Sequence, residues 1–203
     1  ATHRKSPQMR SHLAALLWGI DAEATGLTNL RSTLRRVRNA VDANGAQPSC
    51  LLTDRELVQL HPDLAVEVDV EGFELLLRLV QTHNHVSAYD CESCVDACRQ
   101  ALELYRGLFL TDISIETELF EQWREALQDR YRRQALYALY VLAEHEERAG
   151  SWTAAETYAR RQLEIERWNE EAHRQLMRIL LASGRRSAAL VQYEACRQAL
   201  AEE

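Results

Sequence analysis

The chain has 203 residues, enough for one large or two small domains, and its 46% apolar and 27% charged content is that of a soluble globular protein. No apolar run approaches the roughly 18 residues that a membrane span requires. The start, ATHRKSPQMR, is basic but lacks the apolar stretch of a secretory signal, so the expected location is the cytoplasm.

Charge divides the chain. Residues 1–41 hold seven Lys/Arg against Asp21 and Glu23, a net of +5, while the remainder carries −12. A basic head on an acidic body calls for an anionic partner at the head only; the body is better suited to meeting protein. Five cysteines (Cys50, Cys91, Cys94, Cys98 and Cys196) form an odd set without secretory features. Free thiols or a metal site fit them better than disulfides. Scarce proline and glycine, and an abundance of leucine, alanine, arginine and glutamate, favour helix throughout.

In chain order, Ser6-Pro7-Gln8 reads as a helix start, with Ser6 as cap and Pro7 in the first turn. Leu13, Leu16 and Leu17 give that helix an apolar face, and Gly19 ends it. A polar linker, Ile20 to Thr25, holds a second cap candidate in Asp21. Leu27 to Val41 then places Leu27, Leu30, Leu34, Val37 and Val41 on one helical stripe. The opposite face collects Thr28, Ser32, Arg35, Arg36 and Asn39, flanked by Arg31 and Arg38. These are the guanidinium, hydroxyl and amide groups that pair with phosphates and base edges. An ordinary solvated face has the same composition. Helix, short connection and second helix follow helix-turn-helix order.

Residues 42–49 are loop-like. Cys50 to Thr53 and Leu57 to Leu60 flank Asp54-Arg55-Glu56 as a small hairpin, with Arg55 at the tip suited to a phosphate. Ala65 to Val70 alternates with period two as a third β-prone run. A hairpin after a helix-turn-helix makes a winged helix. From Glu71 onward only helices are expected: one around Phe73 to Val80, one from Tyr89 to Tyr105, an irregular connection from Leu108 to Glu116, and one long or two abutting helices from Thr117 to Ala149. An internal repeat follows. At an offset of 34 residues Ala138 matches Ala172, Leu142 matches Leu176, Gly150 matches Gly184, Ala154 matches Ala188 and Ala155 matches Ala189. This is a tetratricopeptide-like pattern, with Tyr158 and Tyr193 one residue out of register.

Leu13 to Trp18, Asn29-Leu30-Arg31 and Leu34 to Arg38 resemble the helix-turn-helix of response-regulator-type winged helices. More specifically, they resemble the version joined to a bacterial transcriptional activator domain. Ala101 to Leu110, ALELYRGLFL, resembles that domain's signature, which usually has Asp where Leu108 stands. Phe120 to Trp123, Trp168 to Met177 and Gly184 to Cys196 extend the resemblance over nearly the whole chain. It points to the antibiotic-regulatory-protein (SARP) class of activators and their relatives, which often carry an NTPase module and more helical repeats. The small sheet and first helix that normally open such winged helices are expected to be missing from this chain.

His83-Asn84-His85 followed by Cys91-Glu92-Ser93-Cys94 supplies four zinc-type ligands within twelve residues. Cys91, Cys94 and Cys98 also fall on one helical stripe, so burial as small apolar residues is the competing reading. Acidic pairs such as Glu146-Glu147 and Glu170-Glu171 are expected on solvated faces or at helix starts. No phosphate-binding glycine loop, nucleophile elbow or His-Glu-x-x-His is present, so no enzyme is expected and no cofactor is required; a structural zinc is one of the two readings of the cysteine–histidine cluster.

The expected fold is mainly α: a partial winged helix-turn-helix with a small β-hairpin over residues 1–68, then an all-α tetratricopeptide-like helical-repeat domain over 69–203. The expected function is a DNA-binding transcriptional activator. The site is Thr28, Arg31, Ser32, Arg35, Arg36, Arg38, Asn39 and Arg55 on double-stranded DNA. The body contacts RNA polymerase, a second copy of the chain or a downstream NTPase or sensor module, and no membrane is involved. The alternative is a helical-repeat protein-interaction module of a larger signalling ATPase-type regulator, with no DNA binding by this fragment.

Overall fold

Eight α-helices and one small antiparallel sheet make up the computed structural model, which describes residues 6–20, 23–42, 49–64 and 66–202. In order these are β1 (Gln8–Met9), α1 (Arg10–Trp18), α2 (Glu23–Val41), β2 (Leu51–Thr53), β3 (Leu57–Leu60), α3 (Asp69–Thr82), α4 (Glu92–Leu104), α5 (Glu118–Arg148), α6 (Trp152–Ile165), α7 (Glu170–Ala182) and α8 (Arg186–Glu202). The mainly helical fold read from composition is therefore observed. Two compact units result: residues 1–71 with 108–129, and residues 72–107 with 130–203. The sequence reading divided the chain at residue 68; here a later segment, 108–129, joins the first unit.

In the first unit β3 lies between β1 and β2, with Gln8 opposite Val58, Met9 opposite Leu57, and Leu51 opposite Leu60. The hairpin falls where the two β-prone runs placed it. Its turn is fastened by the Asp54 carboxylate, which accepts the backbone N–H groups of Glu56 and Leu57, each at 2.7 Å. The same two bonds hold the Asp54 carboxyl below its ordinary range. Cys50, Leu51 and Val58 are buried beneath it, with Leu13, Leu34, Leu60 and Leu64 packed around them.

Three local expectations are corrected. Gln8 and Met9 form an edge strand, and the helix begins only at Arg10, whose backbone N–H bonds Glu56 O at 2.7 Å and whose Nη1 bonds Asp54 O at 2.7 Å. Pairing with the free edge of β3 outcompetes helix capping here. The third β-prone run is not a strand: residues 66–68 are irregular, Asp69 and Val70 open α3, and Ala65 lies outside the described residues. Asp69 instead bonds the backbone N–H of Val70 at 2.8 Å at the helix start. Finally, α2 begins at Glu23, so Glu23 to Thr25, expected as linker, are helix; the cap candidate Asp21 lies outside the described residues. A Cβ on Gly26 would stand 3.4 Å from Ala14 Cβ and 3.6 Å from Trp18 Cβ, so α1 and α2 meet at that point. Gly19 does end α1, at φ +87° with its N–H on Ala15 O at 2.9 Å.

Residues 108–129 join this unit through Thr117, whose hydroxyl donates to Leu16 O at 2.6 Å. Phe109 and Phe120 also pack on Trp123, with ring centroids 5.7 and 5.5 Å apart.

In the second unit Phe73, Leu77 and Val80 of α3 are buried, and Phe73 meets Tyr131 edge-on at 6.0 Å. The helix expected from Tyr89 begins later. Ala88–Asp90 is a single 3-10 turn, Cys91 is the N-cap residue, and α4 starts at Glu92. The 34-residue repeat is a repeat of hydrogen bonds as well as of residues. At the α5–α6 corner Ala149 N–H bonds His145 O, Gly150 N–H bonds Glu147 O and Ser151 N–H bonds Glu146 O. At the α7–α8 corner Ser183 N–H bonds Ile179 O, Gly184 N–H bonds Leu181 O and Arg185 N–H bonds Leu180 O, the same set displaced by 34. Gly150 and Gly184 take φ +75° and +78°, the left-handed geometry that closes a helix end and strains any residue with a Cβ. Three of the matched apolar pairs are buried, Ala138 and Ala172, Leu142 and Leu176, Ala155 and Ala189, while Ala154 and Ala188 are both half-buried.

Between these helices runs a polar chain. Gln162 Nε2 donates to Gln175 Oε1 at 2.7 Å, and Gln175 Nε2 donates to Glu144 Oε1 at 3.0 Å. Arg178 bonds Glu144 and also Glu147, at 2.8 Å, and the paired carboxylates push its guanidinium pKa up. Glu146 takes Arg99 at 3.3 Å. Glu146 and Glu147 are thus half-buried partners of arginines and not part of a solvated face, whereas Glu170 and Glu171 sit in the first turn of α7 as expected.

Candidate nucleic-acid interface and a cysteine–histidine cluster

Helix α2 presents two faces. Leu30 is buried, at 2% exposure, Leu27 is half-buried, and Leu34 is half-buried against Cys50, Leu51 and Val58. Val37 and Val41, the continuation of the same stripe, are 41% and 52% exposed, so the packed face covers only the first part of the helix. On the other side Thr28, Arg31, Ser32, Arg35, Arg36 and Asn39 are exposed. Among the described residues no carboxylate pairs with Arg31, Arg35 or Arg36. Thr28 Oγ1 donates to Ala24 O at 3.0 Å and keeps its oxygen available as an acceptor.

Arg38 sits differently. It is half-buried, and its Nη2 donates to Thr53 Oγ1 at 2.9 Å and reaches Leu51 O at 3.4 Å. It therefore ties α2 to strand β2, and its buried Nε has no partner. Arg55 is exposed at the hairpin tip, beside the Asp54 turn. The strut role of Arg38 could not be read from sequence, where it was one more arginine on a basic flank; it depends on which strand passes that flank.

The second unit gathers the other candidate residues. His83 Nδ1 stands 3.2 Å from Cys94 Sγ and 3.3 Å from Cys91 Sγ. One ligand atom from each of His83, His85 and Cys94 falls within 4.8 Å of the others. His85 Nε2 lies 3.0 Å from Val80 O, a carbonyl in the last turn of α3, and since a carbonyl only accepts, Nε2 carries the hydrogen. His85 Nδ1 is then a bare lone pair, and it is buried without a partner. Burial and the neighbouring Cys91 thiol push the Cys94 thiol up to about 11. Cys98, the third member of the stripe, is fully buried one turn further on and pushed up to about 12, the behaviour of a core residue and not of a ligand.

Residues 68–203 match the family model of the bacterial transcriptional activator domain. No curated protein matches this chain. Among the described residues no helix is long and apolar enough to cross a membrane.

Proposed function

The chain belongs to the bacterial transcriptional activator domain family, a regulatory and not an enzymatic family, and from that membership we propose that it regulates transcription by binding duplex DNA through α2. The observation that supports this reading is the row of exposed arginines, Arg31, Arg35 and Arg36, without carboxylate partners among the described residues, on a helix whose opposite side is packed over its first part. Elsewhere in the described chain arginines such as Arg99, Arg124, Arg178 and Arg185 have carboxylate partners. Guanidinium forks held on a packed helix suit phosphate oxygens and guanine edges in a major groove. Thr28, Ser32 and Asn39 supply the short polar contacts, and Arg55 at the hairpin tip suits the adjoining backbone. Arg38 serves by setting the angle between the helix and the hairpin.

A second role for the same protein rests on α8, where Leu190, Val191 and Tyr193 are 61%, 70% and 54% exposed. Exposed apolar side chains in the helical-repeat part suit a protein partner, so activation works by recruitment.

Fluorescence anisotropy with labelled mixed-sequence duplex DNA tests the reading. Affinity is expected to fall by orders of magnitude between about 50 and about 200 mM salt, because arginines on phosphates release counterions. The Arg35→Ala, Arg36→Ala double variant, with matching circular dichroism, is expected to lose most of that binding. Equal binding by both proteins, or none by either, would remove DNA from the function of this chain.

A further inference from the structure

We propose that His83, His85, Cys91 and Cys94 bind one zinc ion in a closed structural site that fastens the end of α3 to the start of α4. The inference stands independently of the DNA reading.

Four donors converge from two short segments. His83 and His85 follow the end of α3 at Thr82, while Cys91 is the N-cap residue of α4 and Cys94 lies in its first turn. In a tetrahedral zinc site, with Zn–N about 2.05 Å and Zn–S about 2.3 Å, a nitrogen and a sulfur ligand stand about 3.5 Å apart. The two observed nitrogen–sulfur separations are 3.2 and 3.3 Å, and no ligand atom of His83, His85 and Cys94 is more than 4.8 Å from another. The two nitrogen–sulfur pairs already stand at coordination spacing; Cys91 is outside the group of three and joins it through His83, so closing the site draws Cys91 and His85 inward.

Hydrogen bonding alone does not account for the cluster. His83 Nδ1 faces two thiols and accepts from one, and the thiols also bond each other, so the unbalanced group of the cluster is His85. The lone pair of His85 Nδ1, buried with no partner, would otherwise be an uncompensated desolvation cost. The other nitrogen of His85 already makes the bond that metal-ligating histidines make, an N–H donated to a backbone carbonyl, here Val80 O at 3.0 Å. That bond fixes the tautomer in which Nδ1 is free to coordinate. Two thiolates and two neutral imidazoles are a ligand set that selects zinc over the hard cations. With four protein ligands no position is left for water or substrate, so the site is structural. A redox role for Cys91 and Cys94 fits less well, because reactive thiols sit in exposed, electropositive surroundings and Cys94 is buried beside two imidazoles.

The test uses the full chain purified without chelator. Elemental analysis is expected to give about one zinc per chain, and cobalt replacement to give the intense visible bands and thiolate charge-transfer absorption of a tetrahedral site. Cys91→Ser and His83→Gln change a half-buried and an exposed position, so both variants are expected to fold, to weaken metal binding by at least about tenfold and to lose cobalt absorption. Cys196→Ser, outside the cluster, is expected to retain the metal. Zinc bound at well under one per chain after anaerobic loading would overturn the proposal. So would an octahedral cobalt spectrum, or equal alkylation of Cys91 and Cys94 with and without zinc.

Discussion

The arginines of α2 and those of the helical repeat are chemically identical and physically opposite. In and beside the repeat several arginines have a neighbour of opposite sign: Arg178 between Glu144 and Glu147, Arg185 on Glu156, Arg99 of α4 on Glu146. On α2, Arg31, Arg35 and Arg36 are exposed without such neighbours among the described residues. Paired charges specify how helices pack; unpaired ones of a single sign make a surface whose partner comes from outside. Composition cannot make this distinction, because it depends on which side chains tertiary packing brings within reach.

The comparison can be broken first in the repeat. Leu176 is fully buried in the cluster with Ala155, Ala159 and Ile179. Leu176→Ala is expected to lower unfolding free energy by about 2–5 kcal/mol, read from urea denaturation. The corresponding change on α2 should act on binding and leave stability alone. Arg35→Ala or Arg36→Ala is expected to weaken DNA binding by about 1–3 kcal/mol wherever the arginine reads a base, while the thermal midpoint barely moves. If either arginine instead proves important for stability, the contrast between the two regions fails.

The repeat symmetry predicts a matched pair. Gly150→Ala and Gly184→Ala, both at positive φ, should each destabilise by about 1–2 kcal/mol and by similar amounts; a large disparity would show that the two corners are only superficially alike. The smallest expected effect is electrostatic. Bonds from Arg185 and Arg160 hold the Glu156 carboxyl below its ordinary value. A depressed carboxyl contributes stability that is complete above the unfolded pKa and is lost as pH falls through the folded one. Glu156→Gln should therefore flatten the acid side of the stability profile, by under about 1 kcal/mol because Arg185 is 45% exposed and screened.

Much of the candidate DNA surface was legible because α2 has one clear period: the exposed residues are those opposite the leucine stripe. Arg38, Val37 and Val41 were the exceptions. Strand β2 takes up Arg38, and the packed part of the helix ends before Val37 and Val41. The Cys-x-x-Cys and His-x-His spacings named the four residues of the cluster, but not the tautomer of His85, which follows from the nearness of Val80 O. The Gln162–Gln175–Glu144 chain gave no sequence signal, since glutamine in an alanine- and leucine-rich helix reads as surface.

Local information by itself determined the helices, the hairpin turn at Asp54, the stops at Gly19, Gly150 and Gly184, and the 34-residue repeat. These depend on backbone geometry and on periods within a few turns of chain. Tertiary structure alone decided that Gln8 and Met9 form a strand, that Gly26 lies inside a helix, and that residues 108–129 join the first unit. In each case a distant partner (the edge of β3, the flank of α1, the carbonyl of Leu16) supplies more free energy than the local preference it overrides.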